Sequence, residues 1–464
     1  MNNSYKDLIE QTFDFPQKEF DVNNGKLMFN GIDMMHLIEQ YGSPLKLTYL
    51  PAISENIRAV KSWFEESFRR NAYSGEYSFC YCTKANHFSF VLEEVLKEGA
   101  DLEISYGFDV EIIKSLFADG KIESSCKIIC NGYKTNYYKD QILSLLELGF
   151  SNVVTIIDNA EELDYFAANL KSKLMIGLRI ATEEEPNFDF YTSRLGMNFT
   201  QAKALYQNKI HNNENLELKM LHFFVDTGIQ DSAYYWSEFG KVLSVYGQLA
   251  KLVPSINAIN IGGGLPFKDS LDFDYDFDGI IDEIVLQIKL MSEESEIAMP
   301  NIFTEFGKYT VANTGATLFK VLGSKQQNDR ETWYMIDGSL ISSIPDIWGI
   351  DQRYIVLPLN KWEENWQSVN IGGLSCDNED NYNAKIHGKQ LFLPIADRDS
   401  DMYLGFFHTG AYQDALSGYG GLKHCLIPSP KHVVICENDR GVVKHFQFRE
   451  EQNVLPMLDI LGYQ

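Results

Sequence analysis

Residues 78–99 read Ser-Phe-Cys-Tyr-Cys-Thr-Lys-Ala-Asn-His-Phe-Ser-Phe-Val-Leu-Glu-Glu-Val-Leu-Lys-Glu-Gly. The first five residues form a short apolar run. Phe88, Val91, Leu92, Val95 and Leu96 then recur at helical spacing as far as Gly99, where a helix stops. A strand, a joint carrying Lys84 and a helix make one unit, and the rest of the fold is read from it.

Seven further apolar runs follow, at 101–104, 127–130, 153–157, 174–180, 218–224, 258–261 and 302–305. Helical patterns begin between them near Asp109, Tyr138, Ala160, Thr200, Ser232 and Asp278. Eight strands alternating with helices predict an α/β fold, a (β/α)8 TIM-type barrel. Near-continuous apolar runs suit parallel strands buried on both faces. An open, doubly wound sheet has the same periodicity and stands as the alternative.

Beyond Trp333 the pattern changes. Runs at 333–336, 354–357, 391–393, 402–407, 432–436 and 442–446 are separated by Gly, Asn and Asp turns, which predicts a mainly β domain. Extended stretches at 26–29 and 45–49 assign the first fifty residues to that domain as well. The expected division is a barrel over 52–320 and a β domain built from 1–51 and 321–464.

Composition narrows the function. The 464 residues are 45% hydrophobic, enough for two cores, and 40 Lys+Arg against 65 Asp+Glu give a net charge of -25. Such a surface repels phosphate backbones, so no nucleic-acid partner is expected. The amino terminus lacks a basic segment followed by an apolar run, and no stretch is long enough to span a bilayer, so no membrane partner is expected. Seven scattered cysteines suit reduced thiols and a cytoplasmic location. Cys80 with Cys82 and Cys126 with Cys130 lack a second pair at zinc spacing. Asp274, Asp276, Asp278 and Gly279 imitate a calcium loop, but Val285 stands where its glutamate belongs. No metal is expected.

In a barrel of this type, function collects at the carboxyl ends of the strands. Lys84, Arg179, Phe224, Gly262-Gly263-Gly264 and Glu305 all fall there. A sheltered lysine forms an imine with an aldehyde; in isolation Lys84 reads more readily as a solvent-facing strand end. Three glycines bring backbone N–H groups close to phosphate oxygens, or make a tight turn, and they lack the spacing of a nucleotide fingerprint. A strand-end carboxylate at Glu305 pairs with a protonated ring nitrogen, or with a neighbouring cation. In the β domain, Cys376-Asp377 offers a thiol that returns a proton to carbon and a carboxylate for a cationic tail. The alternative there is a structural cysteine beside a turn.

In this order the residues resemble the fold-type III, alanine-racemase-like decarboxylases that use pyridoxal 5'-phosphate. The likeness runs from Tyr41-Gly42-Ser43-Pro44-Leu45 to Gly410-Ala411-Tyr412. It implies that Lys84 tethers the cofactor, that Glu305 meets the pyridine nitrogen, and that Gly262, Gly263, Gly264, Gly307 and Lys308 hold phosphate, with Tyr412 touching it. It further implies a homodimer with active sites at the interface, Cys376 acting as proton donor from the partner subunit beside Asp377. Ser342-Ser343-Ile344-Pro345-Asp346-Ile347-Trp348-Gly349-Ile350-Asp351-Gln352 is similar to a stretch of biosynthetic arginine decarboxylases. That likeness makes L-arginine the expected substrate, with Asp377 and Asp346 as tail ligands. Leu178-Arg179-Ile180 resembles ornithine decarboxylases, placing Arg179 near the cofactor.

Three departures stand out. Glu305-Phe306-Gly307-Lys308 replaces the family's Glu-Pro-Gly-Arg, and Phe224-Val225-Asp226-Thr227 replaces His-Val-Gly-Ser. Phe224 can stack on a ring but cannot donate a hydrogen bond, Thr227 keeps a hydroxyl, and Asp226 puts a carboxylate near an expected phosphate. Ornithine, lysine, diaminopimelate and carboxyspermidine-type substrates are the rivals within the class. A catalytically silent regulatory homologue is the rival outside it, and retention of both Lys84 and Cys376 argues against that reading.

Overall fold

The computed structural model describes residues 15–182, 193–329, 331–384, 390–396, 400–438 and 440–463. The chain divides into two units, Ile53–Pro266 with Tyr275–Thr310, and Met1–Ala52 with Phe267–Asp274 and Val311–Gln464. In chain order the second of these contributes strands β1 (Phe20–Asn23), β2 (Lys26–Phe29), β3 (Ile32–Asp33) and β4 (Leu45–Tyr49) before the other unit begins.

That other unit carries β5 (Tyr77–Cys82), β6 (Asp101–Ile104), β7 (Ile128–Cys130), β8 (Val153–Ile157), β9 (Leu174–Ile180), β10 (Leu216–Phe223), β11 (Ala258–Asn260) and β12 (Asn301–Thr304). Each pairs in parallel with its neighbour, and β12 pairs with β5, so the sheet closes. Closure removes the open-sheet alternative and both free edges with it. Cys80, Ile129, Val154, Ile156, Met220, Ala258 and Phe303 fill the interior. The helices start where short polar side chains satisfy otherwise unpaired N–H groups. Asn159 accepts from Glu161 and Glu162, and Thr135 from Tyr138.

The β unit holds the three-stranded sheet β1-β2-β3 and a ten-stranded sheet. The larger sheet joins β4 to β13 (Gly315–Gln326), β14 (Thr332–Ile336), β15 (Ile355–Pro358), β16 (Trp366–Gly372), β17 (Asn381–Tyr382), β18 (Leu391–Pro394), β19 (Met402–Phe407), β20 (Lys431–Glu437) and β21 (Val443–Arg449). The long strand β13 pairs with β4, β14 and β19, yet it is absent from the runs read in the sequence. Its first half is buried and its last five residues are exposed, so it shows neither a two-residue alternation nor a uniform apolar run. Residues 267–274 lie with this unit, although the sequence places them after a barrel strand. Lys268 donates to Gln17 and Glu19 at 2.6 and 2.9 Å, and its carbonyl lies 2.6 Å from His408 Nδ1. All seven cysteines are free thiols, and no described helix is long and apolar enough to cross a membrane.

Candidate active site

Strand β5 ends at Cys82 and turns at once through a short 3-10 segment, Thr83–Ala85, which carries Lys84. The turn is pinned. Thr83 Oγ1 donates to the Asp109 carboxylate at 3.0 Å, and His87 Nε2 lies 3.0 Å from the same oxygen. Asp109 also accepts from the backbone N–H groups of Ser105 and Tyr106. Lys84 Nζ donates to Glu103 Oε2 at 3.4 Å, and Ser105 Oγ donates to Glu103 Oε1 at 3.1 Å. Glu103 is fully buried at the end of β6, where an unmatched carboxylate would be costly, and Lys84 is the cation that matches it.

Glu305 follows β12 directly and is buried. Its Oε1 accepts from Asn260 Nδ2 at 2.7 Å and lies 3.3 Å from His222 Nε2. Asn131 Nδ2 stands 3.2 Å from the same imidazole nitrogen. The two neighbours ask opposite roles of it, and the carboxylate, as the charged partner, takes the N–H. Asn131 is oriented in turn by Arg179, which donates to its oxygen at 3.3 Å. Burial raises the Glu305 pKa, but His222, Lys84 and Asn260 together outweigh that effect and hold the carboxyl below its ordinary range. Burial lowers the Arg179 pKa, offset by the carboxylates of Glu305, Asp158 and Glu103.

Cys82, Glu103 and Glu305 each bring a polar atom within 4.8 Å of the others. Lys84 already supplies positive charge beside Glu103, and a ring nitrogen of His222 lies beside Glu305. The mouth of the barrel therefore places an amine and an anionic carboxylate in one electrostatic network.

The glycine triplet adjoins this network. Gly262 and Gly264 have φ of +69° and +100°, and a Cβ on Gly263 would stand 2.8 Å from the Glu305 carbonyl oxygen. Gly262 N donates to Asn260 Oδ1 at 2.9 Å and Glu305 N to the Gly262 carbonyl at 2.8 Å, which fixes the loop against β12. Gly264 packs on Gly228, bringing in the segment that holds Phe224, Asp226 and Thr227. Phe224 is one of the exposed large side chains, and its Cβ and Cδ2 lie against Gly262. Thr227 Oγ1, Asp226 Oδ1 and His222 Nδ1 are buried atoms without a hydrogen-bond partner among the described residues. Gly307 presses on Cys82, where a Cβ would meet the Cys82 Cβ at 2.8 Å, and it opens the short helix that carries Lys308.

These features fit pyridoxal phosphate. They comprise an amine for its aldehyde, a carboxylate kept anionic for its ring nitrogen, a glycine cradle that side chains would fill, and an unpartnered hydroxyl at Thr227 beside that cradle.

The other sequence-predicted residues lie in the β unit. Cys376 is exposed in the loop after β16, and Asp377 Oδ2 lies 3.5 Å from His424 Nε2. Buried Asp380 fastens this loop by accepting from the N–H groups of Leu340, Ile341 and Ser375. Tyr412 precedes a short helix, Gln413–Leu416, with φ of +67°. Asp346 is buried, and its Oδ2 accepts from Gln413 Nε2 at 2.9 Å.

The sequence reading missed Glu103, His222, Asn260, Asn131 and Asp109. Glu103, His222 and Asn260 share a signal, a buried polar residue near the carboxyl end of a barrel strand.

The family described as pyridoxal-dependent decarboxylase, pyridoxal binding domain, matches residues 55–312. Arginine decarboxylase 2 of Arabidopsis thaliana is 22% identical over 85% of this chain and 70% of its own length. The biosynthetic arginine decarboxylase of Prochlorococcus marinus (strain MIT 9215) is 22% identical over 95% of this chain and 86% of its own. Among solved structures, the biosynthetic arginine decarboxylase of Campylobacter jejuni superposes with a TM-score of 0.81 at 20% identity, covering 97% of this chain and 91% of that one. The diaminopimelate decarboxylase of M. jannaschii, in complex with L-lysine, gives 0.76 at 20% identity, covering 95% and 96%. At these identities the solved structures bear on the fold.

Proposed function

The chain belongs to the pyridoxal-dependent decarboxylases, and on that premise we propose that it removes the α-carboxylate of a basic amino acid, converting L-arginine to agmatine and carbon dioxide. The observation that carries this reading is the barrel mouth, where the half-exposed Lys84 amine, paired with buried Glu103, stands in one electrostatic network with the buried, charged Glu305 carboxylate.

Pyridoxal phosphate, when bound, supplies an aldehyde that captures amines and a ring that takes up the electron pair left as carbon dioxide departs. Lys84 is the amine that holds the cofactor between turnovers, with Glu103 beside it. Glu305, kept anionic, holds the proton on the ring nitrogen. Gly262, Gly263, Gly264, Gly307, Lys308 and Thr227 would hold the phosphate, and the family resemblance adds Tyr412 to them. Lys308 brings charge without the fork of an arginine. Phe224 would cover the ring by packing alone, and Arg179 donates to Asn131 beside the His222–Glu305 pair. Cys376 returns a proton to the α-carbon, and Asp377 pairs with the cationic tail of the substrate.

In this reading the protein is a cytoplasmic homodimer, each copy lending its Cys376–Asp377 loop to the other. Two observations favour arginine within the class, the activity named for several relatives and the 342–352 segment. The test is incubation of the protein and cofactor with L-arginine, L-ornithine, L-lysine, diaminopimelate and carboxyspermidine, with the amine formed identified by mass. Agmatine is the expected product. A different amine reassigns the substrate, and cofactor uptake without any decarboxylation supports a silent homologue.

A further inference from the structure

Tyr412 is held in a backbone conformation that aromatic residues seldom adopt, with φ +67° and ψ -29°. The residue after it supplies the restraint. Gln413 is 1% exposed, and its Nε2 donates both to the Ala411 carbonyl at 2.8 Å and to Asp346 Oδ2 at 2.9 Å. The Gln413 backbone N–H also donates to the Ala411 carbonyl at 2.9 Å. The peptide entering Tyr412 is therefore gripped by two N–H groups of one residue, and both hydrogens of the amide are used.

Asp346 completes the clamp. Its own backbone N–H donates to Gln413 Oε1 at 3.2 Å, so Asp346 both donates to and accepts from the amide. The Asp346 carbonyl accepts from Ile350 and Gln352, which anchors the residue in its own turn. A second tie joins the same two segments, because buried Lys423 donates to the Ser342 carbonyl at 3.1 Å and to the Ser417 carbonyl at 2.9 Å. Asp346 is 5% exposed, which leaves little carboxylate surface for a substrate.

We propose that Asp346 is a positioning residue that fixes Tyr412 through Gln413, and that it does not bind the substrate's cationic tail. This rests on the reading that Tyr412 reaches the cofactor phosphate. Loss of the clamp lets Tyr412 relax to an ordinary conformation, and the cost falls on cofactor affinity first.

The test titrates apoprotein with pyridoxal phosphate and follows absorbance, a readout independent of turnover. Gln413→Met and Asp346→Leu are each expected to weaken cofactor binding about tenfold, the equivalent of one or two lost hydrogen bonds. Asp346→Asn recovers most of that loss, because its amide oxygen still accepts from Gln413. Combining Gln413→Met with Tyr412→Phe adds little to either alone. Thermal midpoints taken alongside identify any variant that fails to fold, and Gln413→Met alone then suffices.

Gln413→Met binding the cofactor as tightly as the parent overturns the clamp. So does Asp346→Asn matching Asp346→Leu with the damage confined to KM for the amino acid, since that is the signature of direct recognition. A parent protein that takes up no cofactor instead overturns the functional reading beneath.

Discussion

The His222 imidazole and the Glu305 carboxylate stand 3.3 Å apart, both buried at the mouth of the barrel, and the contact helps keep Glu305 charged where burial alone would neutralise it. Glu305→Gln keeps the shape and the Asn260 contact but removes the charge. Turnover is expected to fall about a hundredfold or more, in line with the loss of one aimed electrostatic group, while cofactor uptake through Lys84 persists. Steady-state kcat measured beside the cofactor absorbance checks this.

Gly263 has no room for a side chain, because a Cβ would stand 2.8 Å from the Glu305 carbonyl oxygen. Gly263→Ala must shift either the loop or the backbone at Glu305, and cofactor affinity should drop about tenfold. Gly240 is the control. It lies inside the helix Ala233–Leu252 with open space around its Cβ position. Gly240→Ala should raise stability by about 0.5–1 kcal/mol and leave cofactor binding alone. Equilibrium titration and denaturant midpoints separate the two effects.

His432 sets an acid limit on the β unit. It is buried on β20 with Nε2 2.9 Å from Thr48 Oγ1, and burial, reinforced by Lys46, lowers its pKa from 6.5 to about 3. The unfolded chain therefore takes up a proton below pH 6.5 that the folded chain refuses until about pH 3. The stability this group contributes is present above pH 6.5 and is lost as the pH falls, by about 1.4 kcal/mol per unit. His432→Gln should flatten that part of the curve of unfolding free energy against pH.

Cys376 is exposed in the β unit in a loop fastened by Asp380. Cys376→Ala should slow decarboxylation by about 10²–10⁴-fold or divert it toward transamination, without loss of bound cofactor. Product analysis by mass decides, and an unchanged rate and product would remove the thiol from the mechanism.

The barrel was legible because each parallel strand is a short apolar run and each helix has its own stop, as at Gly99. Three of the eight runs end within two residues of the points where Lys84, Gly262 and Glu305 emerge. The site was half legible. Lys84, the glycine triplet and Glu305 sit in recognisable local contexts, whereas Glu103, His222 and Asn260 acquire meaning only when closure of the sheet gathers their strand ends. Asp346 is marked by a motif, but that its Oδ2 accepts from Gln413 is visible only in the fold. Strand β13 escaped because it is buried at one end and exposed at the other.

The central claim is that the nitrogen of Lys84 carries the cofactor. The direct test is borohydride reduction of the protein loaded with pyridoxal phosphate, followed by peptide mass analysis. The added mass should fall on the peptide containing Lys84 and vanish in Lys84→Ala together with activity. A label on another lysine, or none on protein that still decarboxylates its substrate, would contradict the account.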